Sequence, residues 1–95
     1  MYARVITMRV QPDSTAQATE ACALDSVTTQ LPGFNGALLL TDPETGKTMS
    51  ITLWRSEADE RVSEARGYVQ HQLAALGAVL AEPPRREQFA VSSQA

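Results

Sequence analysis

The sequence predicts an α+β domain in which two helices pack against one four-stranded antiparallel sheet. Four candidate strand segments and two segments of helical periodicity follow one another in the order β-α-β-β-α-β. A strong hairpin turn joins the second of those β segments to the third. The chain has 95 residues, of which 43% are hydrophobic and 20% are charged, and this balance is typical of a globular protein. We therefore expect a single domain over residues 1–95, with a frayed tail at residues 92–95.

The first strand is predicted over residues 3–10, because this run is rich in Val and Ile and the turn-forming Gln11-Pro12-Asp13 follows it. Ser14 or Asp13 can then cap a first helix through its side-chain oxygen. One face of that helix is expected to carry residues at three- and four-residue spacing, namely Ala21, Leu24, Thr28 and Leu31. Pro32-Gly33 follows, and this pair is typical of a helix end.

The loop from Asp42 to Gly46 predicts a β-hairpin. Pro43 favours the first corner of a type I turn, Asp42 can accept hydrogen bonds from the turn amides, and Gly46 can adopt the left-handed conformation that closes the turn. Strands are therefore expected over residues 34–42 and 47–55. Pairing Asp42 with Lys47 sets the register on two faces: Leu40–Met49, Leu38–Ile51 and Gly36–Leu53 on one, and Leu39–Ser50, Ala37–Thr52 and Asn35–Trp54 on the other.

Ser56 is predicted to cap the second helix, with acidic residues in the first turn, where the helix dipole favours them. An apolar stripe follows at helical spacing, comprising Val62, Ala65, Val69, Leu73 and Leu76. Gly77 suits the helix end, and a last strand is expected over residues 85–91. The order β-α-β-β-α-β with right-handed crossovers places both helices on one side of the sheet, which is the ferredoxin-like arrangement.

The two helices leave one side of this sheet uncovered. We expect the face with Leu38 and Leu40 to meet the helices. The other face still contains Leu39 and Trp54, and a sheet face in water should be more polar than that. A second copy of the chain is the simplest cover, so the sequence predicts a homodimer. The two facing sheets would enclose a cavity lined by Asn35, Ser50, Thr52 and Trp54.

Composition and motifs exclude several classes of function. The net charge is −3, with 11 acidic and 8 basic residues that form no cluster, so no nucleic-acid partner is expected. No membrane partner is expected either, because no run approaches the roughly 20 apolar residues of a membrane span. Without an apparent signal peptide, and with Cys22 as the only cysteine, the chain is expected to be cytoplasmic. No metal or nucleotide motif is present. The Ala- and Arg-rich, Lys-poor composition is typical of a GC-rich bacterial genome.

Four stretches of the chain resemble one family. They are Pro32-Gly33-Phe34-Asn35-Gly36, Leu53-Trp54-Arg55-Ser56-Glu57, Gln11-Pro12 and Ala81-Glu82-Pro83-Pro84. With these residues the chain resembles the antibiotic biosynthesis monooxygenase superfamily of dimeric α/β barrels over nearly its whole length. The resemblance implies a dimer. It also implies a cofactor-independent oxygenase of aromatic polyketides or quinols, or else a haem-degrading enzyme.

The resemblance favours oxygenation over haem degradation. Haem-degrading relatives use an Asn, a Trp and a His. Only the Trp is matched, by Trp54, because the Asn position falls near Ile6 and the His position near Glu64. Polyketide-oxidising relatives pair the Trp with an Asn and an Arg. Ser50 stands where that Asn is expected, so Asn35 is the substitute and Arg4 the cationic partner.

Each predicted site residue has an expected role in a cofactor-free oxygenase, which needs an apolar pocket and donors to an oxyanion. Trp54 and Asn35 are the expected catalytic residues: the indole would stack on an aromatic substrate and donate a hydrogen bond, as would the amide. The expected substrate-binding residues are Arg4 for an anion, Ser50 and Thr52 as donors, and Ile6, Met8 and Leu39 as apolar lining. No general base is evident, and no metal or cofactor is expected.

The same residues also fit structural roles. Trp54 can be an interface anchor, Asn35 a turn residue and Arg4 an ion-pair partner. The alternative function is therefore a non-catalytic small-molecule-binding or structural dimer of the same fold, and an isomerase or decarboxylase is less favoured. Elsewhere, His71 is expected to face solvent and Cys22 to be inert. Tyr68 is expected at the flank of its helix.

Overall fold

The described residues form one antiparallel four-stranded sheet. In the computed structural model these residues are 1–14, 16, 19, 30–67, 70, 73, 74, 77 and 80–95. The strands are β1 (Tyr2–Arg9), β2 (Phe34–Thr41), β3 (Lys47–Trp54) and β4 (Arg85–Ala90), in the spatial order β2-β3-β1-β4. A helix, α1 (Glu57–Ala65), follows β3. This strand order confirms the predicted α+β, ferredoxin-like sheet.

The hairpin between β2 and β3 has the predicted turn. The backbone N–H of Glu44 donates to Asp42 Oδ1 at 3.0 Å, and that of Gly46 donates to the Asp42 carbonyl oxygen at 2.8 Å. Gly46 adopts φ 79°, the left-handed conformation that glycine tolerates best. The predicted pairs Leu40–Met49, Leu38–Ile51, Gly36–Leu53, Leu39–Ser50 and Ala37–Thr52 are all present.

The predicted pairing of Asn35 with Trp54 is wrong. A β-bulge interrupts β2 between Phe34 and Gly36, and Phe34 takes the position opposite Trp54. Gly36 has φ 131°, which an L-residue rarely adopts, so the glycine permits this irregularity. Asn35 is exposed at the bulge. A register extended from the turn could not anticipate a bulge at the far end of the strand.

The helix α1 begins where the sequence predicts. The Ser56 hydroxyl accepts a hydrogen bond from the backbone N–H of Asp59 at 3.2 Å and so caps the helix. The predicted buried face is wrong for this element, because Val62 is 40% exposed and Ala65 is also exposed. The buried residues of α1 are instead Glu60 and Ser63. Their burial is tolerated because both find polar partners in the sheet.

The two faces of the sheet differ in character. The helix face carries Arg4, Ile6 and Met8 of β1 and Thr48, Ser50, Thr52 and Trp54 of β3, all of which are buried. The outer face carries Val5, Leu38, Leu40, Met49, Ile51, Leu53 and Phe89, of which Leu38, Leu40 and Phe89 are about half exposed. The expectation that the Leu38–Leu40 face meets the helices is therefore wrong, since α1 packs on the other face.

Several predictions fall outside the described residues. They concern Ala21, Leu24 and Thr28 of the first helix, Val69 and Leu76 of the second, and Cys22, Tyr68 and His71. The predicted cap residues Asp13 and Ser14 lie in a 3-10 helix at Pro12–Ser14. Within the described ranges, no helix is long and apolar enough to span a membrane.

Candidate active site

All of the predicted site residues except Asn35 lie on the helix face of the sheet, on the side where α1 packs. Arg4 of β1 reaches up to the helix, where its Nη1 donates to Glu60 Oε1 at 3.2 Å and to Ser63 Oγ at 2.9 Å. The expected cavity between two facing sheets is therefore misplaced, because these side chains point into the layer between sheet and helix. Of the predicted set, six are buried on this face, namely Arg4, Ile6, Met8, Ser50, Thr52 and Trp54, and Leu39 is half-buried opposite Ser50.

Arg4 and Glu60 form a buried ion pair. Each side chain is only 1% exposed. Ser63 completes the arrangement, since its hydroxyl accepts from Arg4 and donates to the Glu60 carbonyl oxygen at 2.6 Å. Positions 60 and 63 are three apart on α1, so both project from one side of the helix toward β1. Removing the charge of Arg4 would leave Glu60 buried without this counter-charge.

Trp54 closes the end of this layer beside Arg4. The indole is fully buried, and the Arg4 guanidinium carbon lies 5.4 Å from its ring centroid, within cation–π range. Phe34 meets the indole edge-on at a centroid distance of 5.6 Å. The indole N–H donates to Thr52 Oγ1 at 3.0 Å. The donor that we expected to serve a substrate is thus engaged within β3.

Glu60 is the group in this layer suited to proton transfer. Burial raises the pKa of its carboxyl above the ordinary value of 4.5, and the neighbouring Glu64 raises the pKa further. The hydrogen bond from Gln88 and the charge of Arg4 act in the opposite direction. The second oxygen, Oε2, is buried and has no hydrogen-bond partner among the described residues. A carboxyl with raised pKa and an unused oxygen can accept a proton from a bound molecule.

The sequence prediction missed Glu60, Ser63 and Gln88. In the sequence, Glu60 is one of several acidic residues in the first turn, where the helix dipole favours them. One signal could have located it: Glu60, Ser63 and Glu64 form a polar stripe at helical spacing. Arg4 lies two residues before Ile6 in β1, so both side chains point to the same face of the sheet. An arginine on a buried face requires a carboxylate partner, and this predicts an acidic residue opposite it. Asn35 is exposed at the bulge and makes none of these contacts, so we leave it out of the candidate site.

Two cavities lined by described residues lie elsewhere on the protein. A groove of about 320 Å³ lies between β1, the start of β3 and the segment before β4, and is lined by Thr7, Met8, Arg9, Lys47, Glu82, Pro83 and Arg85. A depression of about 260 Å³ on the outer face is lined by Leu40, Thr41, Asp42, Lys47 and Met49. Trp54 lines neither of them.

Solved structures share this architecture. A proposed antibiotic biosynthesis monooxygenase from Deinococcus radiodurans superposes with a TM-score of 0.80 at 14% identity, covering 100% of this chain and 96% of that one. A second one, from Caulobacter crescentus CB15, has a TM-score of 0.75 at 25% identity, with 96% and 90% covered. This chain has the fold of the antibiotic biosynthesis monooxygenases.

A functionally described neighbour has the same fold. It is a monooxygenase from the gene ActVA-Orf6 of Streptomyces coelicolor, solved in complex with the ligand nanaomycin D. It has a TM-score of 0.79 at 21% identity, and the match covers 99% of this chain and 89% of that one. No family model and no curated protein sequence matches this chain. The resemblance predicted from the sequence is therefore confirmed at the level of the fold.

Proposed function

We propose that this protein is a cofactor-independent monooxygenase that oxidises a phenol- or quinol-like ring, and that its active site lies between the sheet and α1. The observation that carries the proposal is the buried Arg4–Glu60 pair against Trp54. It supplies the general base that the sequence analysis lacked, beside an aromatic platform. The fold of the monooxygenase neighbours supports the same activity class.

In the proposed reaction the substrate supplies the electrons, so no cofactor is required. Ionised Glu60 removes the phenol proton, and the phenolate gives one electron to O₂. The resulting superoxide and ring radical combine into a peroxide, whose distal oxygen takes the proton back from Glu60. Glu60 then removes the hydrogen of the oxygenated ring carbon, the O–O bond breaks, and hydroxide departs to solvent. The proton left on Glu60 must also reach solvent, where it combines with the hydroxide as water. Phenol and O₂ thus become quinone and water.

The other residues of the layer have supporting roles. Arg4 lies beside Glu60, so its charge stabilises the negative charge that passes from the carboxylate to the substrate oxygen. Ser50 and Thr52 offer hydroxyls, while Ile6, Met8 and Leu39 provide apolar surroundings that favour a neutral aromatic ring. Because Trp54 and Arg4 are both closed off from solvent in this structure, the layer must open before a ring can enter.

The outer face supports the proposed homodimer. Leu38 and Leu40 on the edge strand β2 are 57% and 48% exposed, and Phe89 on the opposite edge strand β4 is 49% exposed. Apolar residues of the central strands, including Ile51 and Val5, lie between them on the same face. Monomeric proteins rarely leave such a patch in water. In this proposal the dimer covers the outer face, and the active site belongs to the opposite side of each sheet.

An oxygen-electrode screen of anthrones, quinols and catechols tests the activity, and product analysis detects the quinone. We expect Glu60→Gln to lower kcat by about 10²-fold or more, the range for loss of a general base. Glu57→Gln is the matched control, because Glu57 is an exposed acid on the same helix. Circular dichroism confirms that each variant is folded. Absence of uptake with every substrate, or full activity in folded Glu60→Gln, would overturn the proposal.

A non-catalytic small-molecule-binding or structural dimer is the second candidate. The observation in its favour is that Trp54 is fully buried with its N–H bonded to Thr52, as in a purely structural core. This alternative predicts no oxygen uptake. Saturable quenching of Trp54 fluorescence by nanaomycin D or a hydroxyanthraquinone would then indicate binding, and no quenching would indicate a structural role.

A further inference from the structure

We propose that Glu64 carries protons between Glu60 and solvent, and that Gln88 holds the two carboxyl groups together for this transfer. The inference rests on the proposed function, because it assigns the proton route of the same site. Glu64 acts through Glu60 and touches no substrate. This proton route extends the site from the buried layer to the protein surface.

Gln88 of β4 joins the two carboxyl groups. Its Nε2 lies 3.3 Å from Glu60 Oε1 and 3.3 Å from Glu64 Oε1. A side-chain amide nitrogen carries two hydrogens, so it can donate one to each carboxyl at the same time. Positions 60 and 64 are one turn apart on the same side of α1. Strand and helix together therefore keep both carboxyls around one nitrogen atom.

The two carboxyls differ in their access to water. Glu60 is 1% exposed, whereas the Glu64 side chain is 20% exposed and lies 3.2 Å from Nη1 of Arg86, which is itself 46% exposed. A proton passed from Glu60 to Glu64 therefore reaches a group that water contacts. Arg86 is the ion-pair partner of Glu64 at that outer end.

The other described neighbours of Glu60 cannot serve as the route. Arg4 and Gln88 present only N–H donors to this carboxyl, and neither exchanges a proton at ordinary pH. The Ser63 hydroxyl already donates to the Glu60 carbonyl oxygen. Among the groups that face Glu60 from β1, β4 and α1 in the described structure, Glu64 is thus the one that can both accept and release a proton.

The route matters because Glu60 must be ionised before it can act as a base. Each turnover of the proposed reaction leaves the ring-carbon proton on Glu60, and burial and Glu64, which raise the pKa of this carboxyl, favour its retention there. That proton must leave Glu60 before the substrate proton can be taken. The transfer is balanced: Glu60 loses the proton, Glu64 gains it, and water receives it when Glu64 ionises again.

The test compares Glu64→Gln with Glu57→Gln, an exposed acid of the same helix. In weak buffer we expect Glu64→Gln to lower kcat about tenfold or more, and added imidazole or formate to restore the rate by carrying the proton instead. Glu57→Gln should show neither effect. A folded Glu64→Gln variant with wild-type kcat, or a lost rate that no small buffer restores, would overturn the relay.

A second readout is independent of activity. Carbon-13 NMR of labelled glutamate follows the titration of the Glu60 carboxyl. Because Glu64 raises the pKa of Glu60, the midpoint should move to lower pH in Glu64→Gln and stay unchanged in Glu57→Gln. An unchanged midpoint in Glu64→Gln would overturn the coupling of the two carboxyls. A downward shift in a protein without oxygen uptake would support that coupling while the proposed oxygenase fails.

Discussion

Replacing Arg4 with Met removes a charge from the buried layer, and its cost should depend on pH. The variant keeps an unbranched side chain of similar reach but leaves Glu60 without the guanidinium 3.2 Å away. It also removes the hydrogen bond to Ser63 at 2.9 Å and the cation that lies 5.4 Å from the Trp54 ring. All three interactions lie in the closed layer under α1.

The magnitude follows from the charge state of Glu60. When the carboxyl is ionised, breaking a buried pair costs about 3–5 kcal/mol. When it is protonated, only hydrogen bonds and the ring contact are lost, and we expect about 1–3 kcal/mol. The folded-state pKa of Glu60 lies above 4.5, and losing Arg4 raises this pKa further. Ionising Glu60 in the folded variant is therefore less favourable than in wild type. As the pH rises, the free energy of unfolding of the variant falls further below that of wild type, so the substitution costs more at high pH than at low pH.

Urea unfolding at about pH 5 and about pH 8 measures this difference. Far-ultraviolet circular dichroism is the appropriate signal, because Arg4 contacts Trp54 and the variant alters its fluorescence. Arg61→Met is the control. Arg61 pairs with Glu57 on the surface of α1, where such pairs contribute less than about 1 kcal/mol. An Arg4→Met cost below about 1 kcal/mol, or one equal at both pH values, would refute the buried charge pair.

Three further predictions concern the frame around the site. Ser56→Ala removes the cap of α1 and should cost about 1 kcal/mol in urea unfolding, whereas Ser92→Ala in the exposed tail should cost nothing measurable. Gly46→Ala should cost more than about 2 kcal/mol, since the residue has φ 79° and a Cβ would collide with the Val10 carbonyl oxygen; an unchanged unfolding midpoint would contradict this. Leu38→Glu should convert the proposed dimer to a monomer in sedimentation velocity, and a wild-type monomer at micromolar concentration would refute the outer-face interface.

The local features of the fold were predictable because short-range chemistry sets them. Asp42 and Gly46 determine the hairpin turn, and the turn determines every pair up to Gly36–Leu53. Ser56 likewise determines the start of α1. The bulge at Asn35 was not predictable, because it lies at the end of β2 remote from the turn and the chain offers only a glycine as its signal.

The choice of sheet face was wrong for a physical reason. Hydrophobicity assigns the more apolar face to the helices, and here that would be the Leu38–Leu40 face. The helix instead buries Glu60 and Ser63, and these need polar partners, which Arg4 on the opposite face provides. Polar complementarity between two elements distant in sequence is not visible in the periodicity of either one.

The location of the site can be tested with the two isoleucines of this chain, since the sequence contains only Ile6 and Ile51. Ile6 is buried on the helix face and Ile51 lies on the outer face. Methyl NMR of protein labelled at isoleucine therefore gives one signal for each side of the sheet. On anaerobic titration with a hydroxyanthraquinone, we expect the Ile6 methyl signal to shift and the Ile51 signal to stay constant. A shift of Ile51 alone would contradict a site between the sheet and α1.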